Sequence, residues 1–185
     1  MEYEEKTGWI RGVRHCPSPN HDERPEGTEI DLLVIHGISL PPRQYGGPWI
    51  DRLFTNSLDP DAHPYFREIA SLRVSSHLLI DRTGAITQYV PLNKRAWHAG
   101  QSEFMGRSCC NDFSIGIELE GYDDEPYEVV QYSRLVEITR LLQQEWPSLF
   151  RERIVGHCDI APGRKTDPGP AFDWKRYFEG LQFSS

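Results

Sequence analysis

The sequence predicts an α/β fold, a single domain whose central mixed β-sheet is flanked by helices. Three observations carry that expectation. Short aliphatic runs over residues 31–36 and 153–156 end in turn chemistry, as buried strands do. Residues 76–80 and 85–90 read as a hairpin around Asp81-Arg82-Thr83-Gly84, which forces one antiparallel pair into the sheet. Between residues 126 and 146, Val129, Tyr132, Leu135, Val136, Thr139 and Leu142 recur at helical spacing.

The remaining elements follow in order. Residues 14–29 (RHCPSPNHDERPEGTE) are polar and rich in turn formers, a surface lead-in to the first strand. The connection over 37–64 is rich in proline and glycine, and one this long inside a compact domain carries function or short helical turns. A short helix is expected over 65–71. Residues 96–112 (AWHAGQSEFMGRSCCND) read as an aromatic loop, and 113–120 alternate as a strand with one face on a core. Pro126 suits the first turn of the long helix and Pro147 stops it. Asp173 is placed to cap a last helix through Phe178. The whole chain, 1–185, is expected to be one catalytic domain, with 1–7 and 181–185 as flexible ends.

The chain of 185 residues has room for one substantial core. Its net charge of −8 argues against nucleic acid or an anionic membrane as partner, because such surfaces select clustered Lys and Arg. No stretch approaches the roughly 20 apolar residues of a membrane span. The acidic start, Met1 to Lys6, is followed by no apolar run, so a cytoplasmic protein is expected. Cys16, Cys109, Cys110 and Cys158 form no CxxC pair, which fits reduced thiols.

The residues able to carry chemistry fall where strands end. His36 closes the first strand, Glu118 lies late in the 113–120 strand, and His157 follows the last one. Open α/β sheets place ligands at such ends. Residues 156–169 add Asp159, Lys165 and Asp167, and Pro168 restrains Asp167 to an extended conformation. Two imidazoles and one carboxylate make a catalytic zinc set with the fourth position left for water. Cys158 is a weaker candidate ligand than Asp167. From the residues alone, this reading stands level with a plain one, in which each group is an ordinary strand-end or surface polar residue.

Longer motifs tip the balance. Residues 36–42 (HGISLPP), 45–50 (YGGPWI), 94–100 (KRAWHAG), 111–121 (NDFSIGIELEG) and 156–170 (GHCDIAPGRKTDPGP) resemble the zinc amidases of peptidoglycan. That family is related to phage T7 lysozyme and the peptidoglycan recognition proteins, and the likeness is greatest to its cytoplasmic members acting on anhydro-muropeptides. The resemblance runs in order from about Gly8 to Tyr177. It implies the amidase and peptidoglycan-recognition-like fold, and one Zn2+ per chain held by His36, His157 and Asp167. It makes Glu118 the proton acceptor and Lys165 the group that stabilises the transition state. The implied reaction cuts the amide between the lactyl group of (1,6-anhydro-)N-acetylmuramic acid and L-alanine, in the service of peptidoglycan recycling. Trp97 and His98 are expected to meet the sugar, and Arg73 and Arg164 the peptide carboxylates. The expected partner is a small muropeptide, with no obligate protein partner. Gly37 departs from the Asn usual after the first zinc histidine, and Cys109 stands where relatives can carry Arg. The competing functions are a lytic amidase acting on intact wall and a non-catalytic peptidoglycan-binding module.

Overall fold

The computed structural model describes residues 1–182. Its strands are β1 (Glu2–Glu4), β2 (Trp9–Arg11), β3 (Arg14–His15), β4 (His21–Asp22), β5 (Leu32–Ile38), β6 (Leu78–Ile80), β7 (Ile86–Gln88), β8 (Arg95–Ala96), β9 (Glu103–Phe104), β10 (Arg107–Ser108), β11 (Ser114–Glu120) and β12 (Ile154–Gly156). Its helices are α1 (Trp49–Phe54), α2 (Phe66–Ile69), α3 (Val129–Glu145), α4 (His157–Ile160) and α5 (Trp174–Gln182). Six strands make the central sheet in the order β12-β5-β11-β6-β7-β3. Neighbours from β12 to β6 run parallel, β6 and β7 pair antiparallel, and β3 joins β7 in parallel, so the sheet is mixed.

The two central strands explain the architecture. Every residue of β11 is buried, as are the first five of β5. The expected strand with one solvated face is therefore corrected to one covered on both sides, as parallel strands require. Leu33, Ile35, Ile115 and Ile117 join Leu135, Ile138 and Leu142 of α3 in the main core. Leu32 and Val34 point the other way, onto Ala99, Cys110, Phe113 and Ile160. Leu135→Ala is expected to lower the unfolding free energy by about 2–5 kcal/mol, the range for a deleted core leucine side chain, as read from a urea titration.

Local chemistry sets the boundaries. Asp81 Oδ1 accepts the backbone N–H of Thr83 (2.8 Å) and of Ala85 (2.9 Å), closing the 81–84 turn. The long helix starts later than expected, at Val129. Gln131 accepts the Glu128 N–H (2.9 Å) and spends its amide on the Ile80 and Glu120 carbonyls, which fixes the helix start against the sheet. Pro126 thus precedes the helix, and Val129 is 59% exposed rather than on its buried face. Asp173 does cap α5, accepting the Arg176 N–H at 2.9 Å. The lead-in is more than surface. Arg24 is half-buried and donates to the carbonyls of Asp112 (2.8 Å) and Ser114 (2.9 Å), and desolvation lowers its pKa to about 10.

Of the spans expected as flexible ends, Glu2–Glu4 is paired with Trp9–Arg11 and Leu181 and Gln182 finish α5. Residues 183–185 lie outside the described residues. No helix among the described residues is long and apolar enough to cross a membrane.

Candidate metal and active site

The sheet register brings three of the expected residues to one level. Glu118 on β11 pairs directly with His36 on β5. On the other side Gly156 pairs with Ile35, so His157, the next residue, falls opposite His36. All three stand at the carboxyl ends of adjacent parallel strands, where α/β sheets hold ligands. Asp167 arrives from the loop after α4, tied back by its carbonyl, which accepts the Cys158 N–H at 3.0 Å. The Tyr127 hydroxyl donates to the following carbonyl, of Pro168, at 2.9 Å.

The atoms that could serve as donors are His36 Nδ1, His157 Nδ1 and Asp167 Oδ2. They are separated by 3.0, 3.1 and 3.3 Å. A tetrahedral ion with bonds of about 2.0–2.2 Å needs ligand atoms roughly 3.3–3.6 Å apart. One separation therefore matches, and the other two need to widen by a few tenths of an ångström to hold one face of its coordination shell. The group gathers within 4.8 Å and both imidazoles are buried. Burial lowers the His36 pKa to about 4 and so keeps it neutral, as a metal ligand must be. Burial would raise the Asp167 carboxyl, but the adjoining His157 and His36 rings outweigh it and hold the group well below the usual carboxylate range. Neutral imidazoles and an anionic oxygen are the donor set a divalent metal ion calls for.

Beside them, burial pushes the Glu118 carboxyl well above the usual carboxylate range; the Asp167 charge adds to this and Lys165 opposes it. Both Glu118 and Lys165 line a cleft of about 540 Å³ that opens over the three donors. Part of its lining is apolar: Leu53, Phe54, Ile69, Leu72 and Val74. Loop 37–64, singled out for its length, supplies part of that wall through α1.

Other expected residues sit differently. Trp97 and His98 both line the cleft, and the largely buried His98 ring has Nδ1 2.9 Å from His36 Nε2 and Nε2 3.0 Å from Ser114 Oγ. Both of its nitrogens are committed within the protein, so a contact with the sugar would use the ring's carbon atoms. Arg164 also lines the cleft and donates to the Ala99 and Gln101 carbonyls, each at 2.6 Å. Arg73 bonds the carbonyls of Ser71 and Leu72 and is not among the cleft residues. Cys158 is not one of the gathered donors. Asp159 caps its own turn by accepting the Gly156 N–H at 2.7 Å.

The two departures also find their places. A Cβ at Gly37 would lie 2.3 Å from the Tyr127 hydroxyl oxygen, so the glycine leaves room for the group that holds Pro168. Cys109 is exposed and does not line the cleft. Sequence reasoning missed Tyr127, Ser114 and Asn111. They act through long-range hydrogen bonds that leave no periodic trace, and only the position of Asn111 beside a site strand could have pointed to it.

Comparison with known proteins agrees with this geometry. The family model of N-acetylmuramoyl-L-alanine amidase matches residues 26–170. The chain belongs to that family. This amidase is 58% identical to the 1,6-anhydro-N-acetylmuramyl-L-alanine amidase AmpD of Enterobacter cloacae, over 97% of its own length and 96% of the relative. It is 59% identical to the protein of that name from Escherichia coli K12, over 93% of each chain. A crystal structure of an AmpD selenomethionine derivative superposes with a TM-score of 0.94 at 55% identity, covering 98% of this chain and 99% of the other. A more distant neighbour is the amidase AmiD of E. coli, in complex with anhydro-N-acetylmuramic acid-L-Ala-D-gamma-Glu-L-Lys. It is 31% identical, with a TM-score of 0.60, over 85% of this chain and 60% of that one.

Proposed function

We propose that this amidase is zinc-dependent and hydrolyses the bond between the lactyl group of 1,6-anhydro-N-acetylmuramic acid and L-alanine in cytoplasmic muropeptides, serving peptidoglycan recycling. The observation that carries this is the triad of His36, His157 and Asp167, whose potential donor atoms gather in the lining of the cleft. The name shared by the AmpD relatives and the anhydro sugar in the AmiD complex support the substrate. The chain 1–185 acts as one catalytic domain on a small muropeptide, without nucleic acid, membrane or an obligate protein partner.

When bound, zinc polarises the scissile carbonyl and lowers the pKa of water towards about 7. The rest of the chemistry belongs to side chains. Glu118 takes the proton of the attacking water and returns it to the departing alanine amine, a task suited to a carboxyl whose pKa is raised by burial. Lys165 faces the carbonyl oxygen as negative charge gathers there. Lys165→Met should therefore reduce kcat on the order of a hundredfold, with KM little changed, in steady-state assays.

Trp97 and the walls from loop 37–64 close around the terminal sugar, so a glycan continuing beyond the anhydro ring meets protein. That is discrimination by exclusion. Side-by-side kinetics on anhydro-muropeptides and on muropeptides with an ordinary reducing end should give a kcat/KM at least about tenfold higher for the former, with a free L-alanine amine released. Equal rates, or efficient clearing of intact sacculi, would move the chain to the lytic-amidase reading.

A further inference from the structure

Both imidazoles of the metal triad turn their second nitrogen to the same short segment of chain. His36 Nε2 meets His98 Nδ1 at 2.9 Å, and His157 Nε2 meets the Ala99 carbonyl at 3.1 Å. The segment is itself pinned. Asn111 Oδ1 accepts the backbone N–H of His98 (3.1 Å) and of Ala99 (2.8 Å), and Arg164 donates to the same Ala99 carbonyl at 2.6 Å. The His98 ring lies flat against Gly116 on β11, where a Cβ would approach it to 2.5 Å. The ring has no room to move towards the sheet.

The direction of each hydrogen bond follows from the ends of the chain. The Cys110 carbonyl can only accept, so Ser114 Oγ donates to it at 2.6 Å. The serine oxygen is then free to accept from His98 Nε2 at 3.0 Å. That leaves His98 Nδ1 without a proton, and His36 must donate to it through Nε2. His157 Nε2 must likewise donate to a carbonyl. Each metal-site imidazole therefore carries its proton on Nε2 and turns a bare Nδ1 lone pair to the site.

We propose that residues 98–99 form a common outer brace for the metal site, with His98 and Asn111 as positioning residues that fix the tautomer and direction of both metal-binding imidazoles. The proposal rests on the metal-site reading above, and two measurements separate them. In nitrogen-15 correlation spectra of the wild-type protein, with and without zinc, His36, His98 and His157 should all be protonated on Nε2. A proton on His98 Nδ1, or none on His36 Nε2, overturns the brace.

Zinc affinity, measured by competition with a chromophoric chelator, should fall about 10–100-fold in His98→Leu. His98→Asn, whose amide oxygen stands near the position of Nδ1, should recover most of that loss. Affinity in His98→Leu equal to wild type also overturns the brace. Should the leucine variant not fold, the wild-type spectra decide alone. Wild-type protein that binds no zinc overturns the metal reading, while the tautomers in that metal-free protein still judge the brace.

Discussion

Replacing His36 with alanine is expected to leave a folded protein that holds no zinc and turns over no substrate. The wild-type chain should carry about one zinc and lose activity to a chelator. Three protein donors at 3.0–3.3 Å spacing leave one open position in a tetrahedral shell. Removing one of the three leaves a pair, His157 and Asp167, that an ion can bind only weakly. The lost ligand also opens a hole where a buried ring stood, so the comparison needs a histidine elsewhere. His63→Ala removes a half-buried ring beside α2, far from the donors in the chain, and should keep both zinc and activity. Elemental analysis of the purified variants, set beside their rates, checks the pair of outcomes. A fully active His36→Ala protein, or one that retains an equivalent of zinc, refutes the assignment.

Glu118→Gln should separate chemistry from binding. Glutamine keeps the shape of the side chain and removes its capacity to take a proton. Zinc content and substrate affinity should be close to wild type, while kcat drops by roughly two to four orders of magnitude, the usual range for a general acid–base group. The effect is large because Glu118 has no substitute. Asp167 belongs to the donor triad and is held as an anion, and Lys165 is exposed and cationic. Glu118 is buried opposite His36, with its proton affinity raised by that burial. Single-turnover rates together with equilibrium binding of an uncleaved substrate analogue make the test. A variant with intact kcat and a raised KM would make Glu118 a binding residue and reassign the proton transfer.

The sequence carried the sheet strands and the residues at their ends because both follow from local signals. Aliphatic runs over 31–36 and 153–156 mark β5 and β12, and chemistry-bearing residues directly at or after such runs stand at strand ends by construction. The 81–84 turn announced the hairpin through Asp81 and Gly84. Two-residue strands such as β3 and β8 were not legible, since they exist only where a distant partner offers its edge. Arg24 looked like lead-in because nothing local tells an arginine that it will meet carbonyls roughly 90 residues away. The link from His98 to His36 was hidden for the same reason. An imidazole beside a tryptophan in a loop has the composition of a sugar contact, and only the folded chain shows that its Nδ1 also meets His36. The start of α3 was misjudged because Pro126 tolerates a first turn, whereas Gln131 and its two strand carbonyls decide where the helix begins.

The pairing of β5 has a consequence for how the protein is made. Its neighbours are β11 and β12, both far downstream, and neither side of the strand has an earlier partner in the sheet. As the chain leaves the ribosome, Leu32, Leu33, Val34 and Ile35 emerge as a fully apolar segment with both backbone edges open, and they wait until residues 114–120 follow. Even then one edge stays free until residues 154–156 appear. Parallel pairs across such separations close slowly, and an open apolar edge is a template for pairing with another chain. A nascent chain stalled between residues 120 and 154 would thus hold its histidine on an unguarded strand, so expression should depend on holdase chaperones more than the stability of the finished domain suggests.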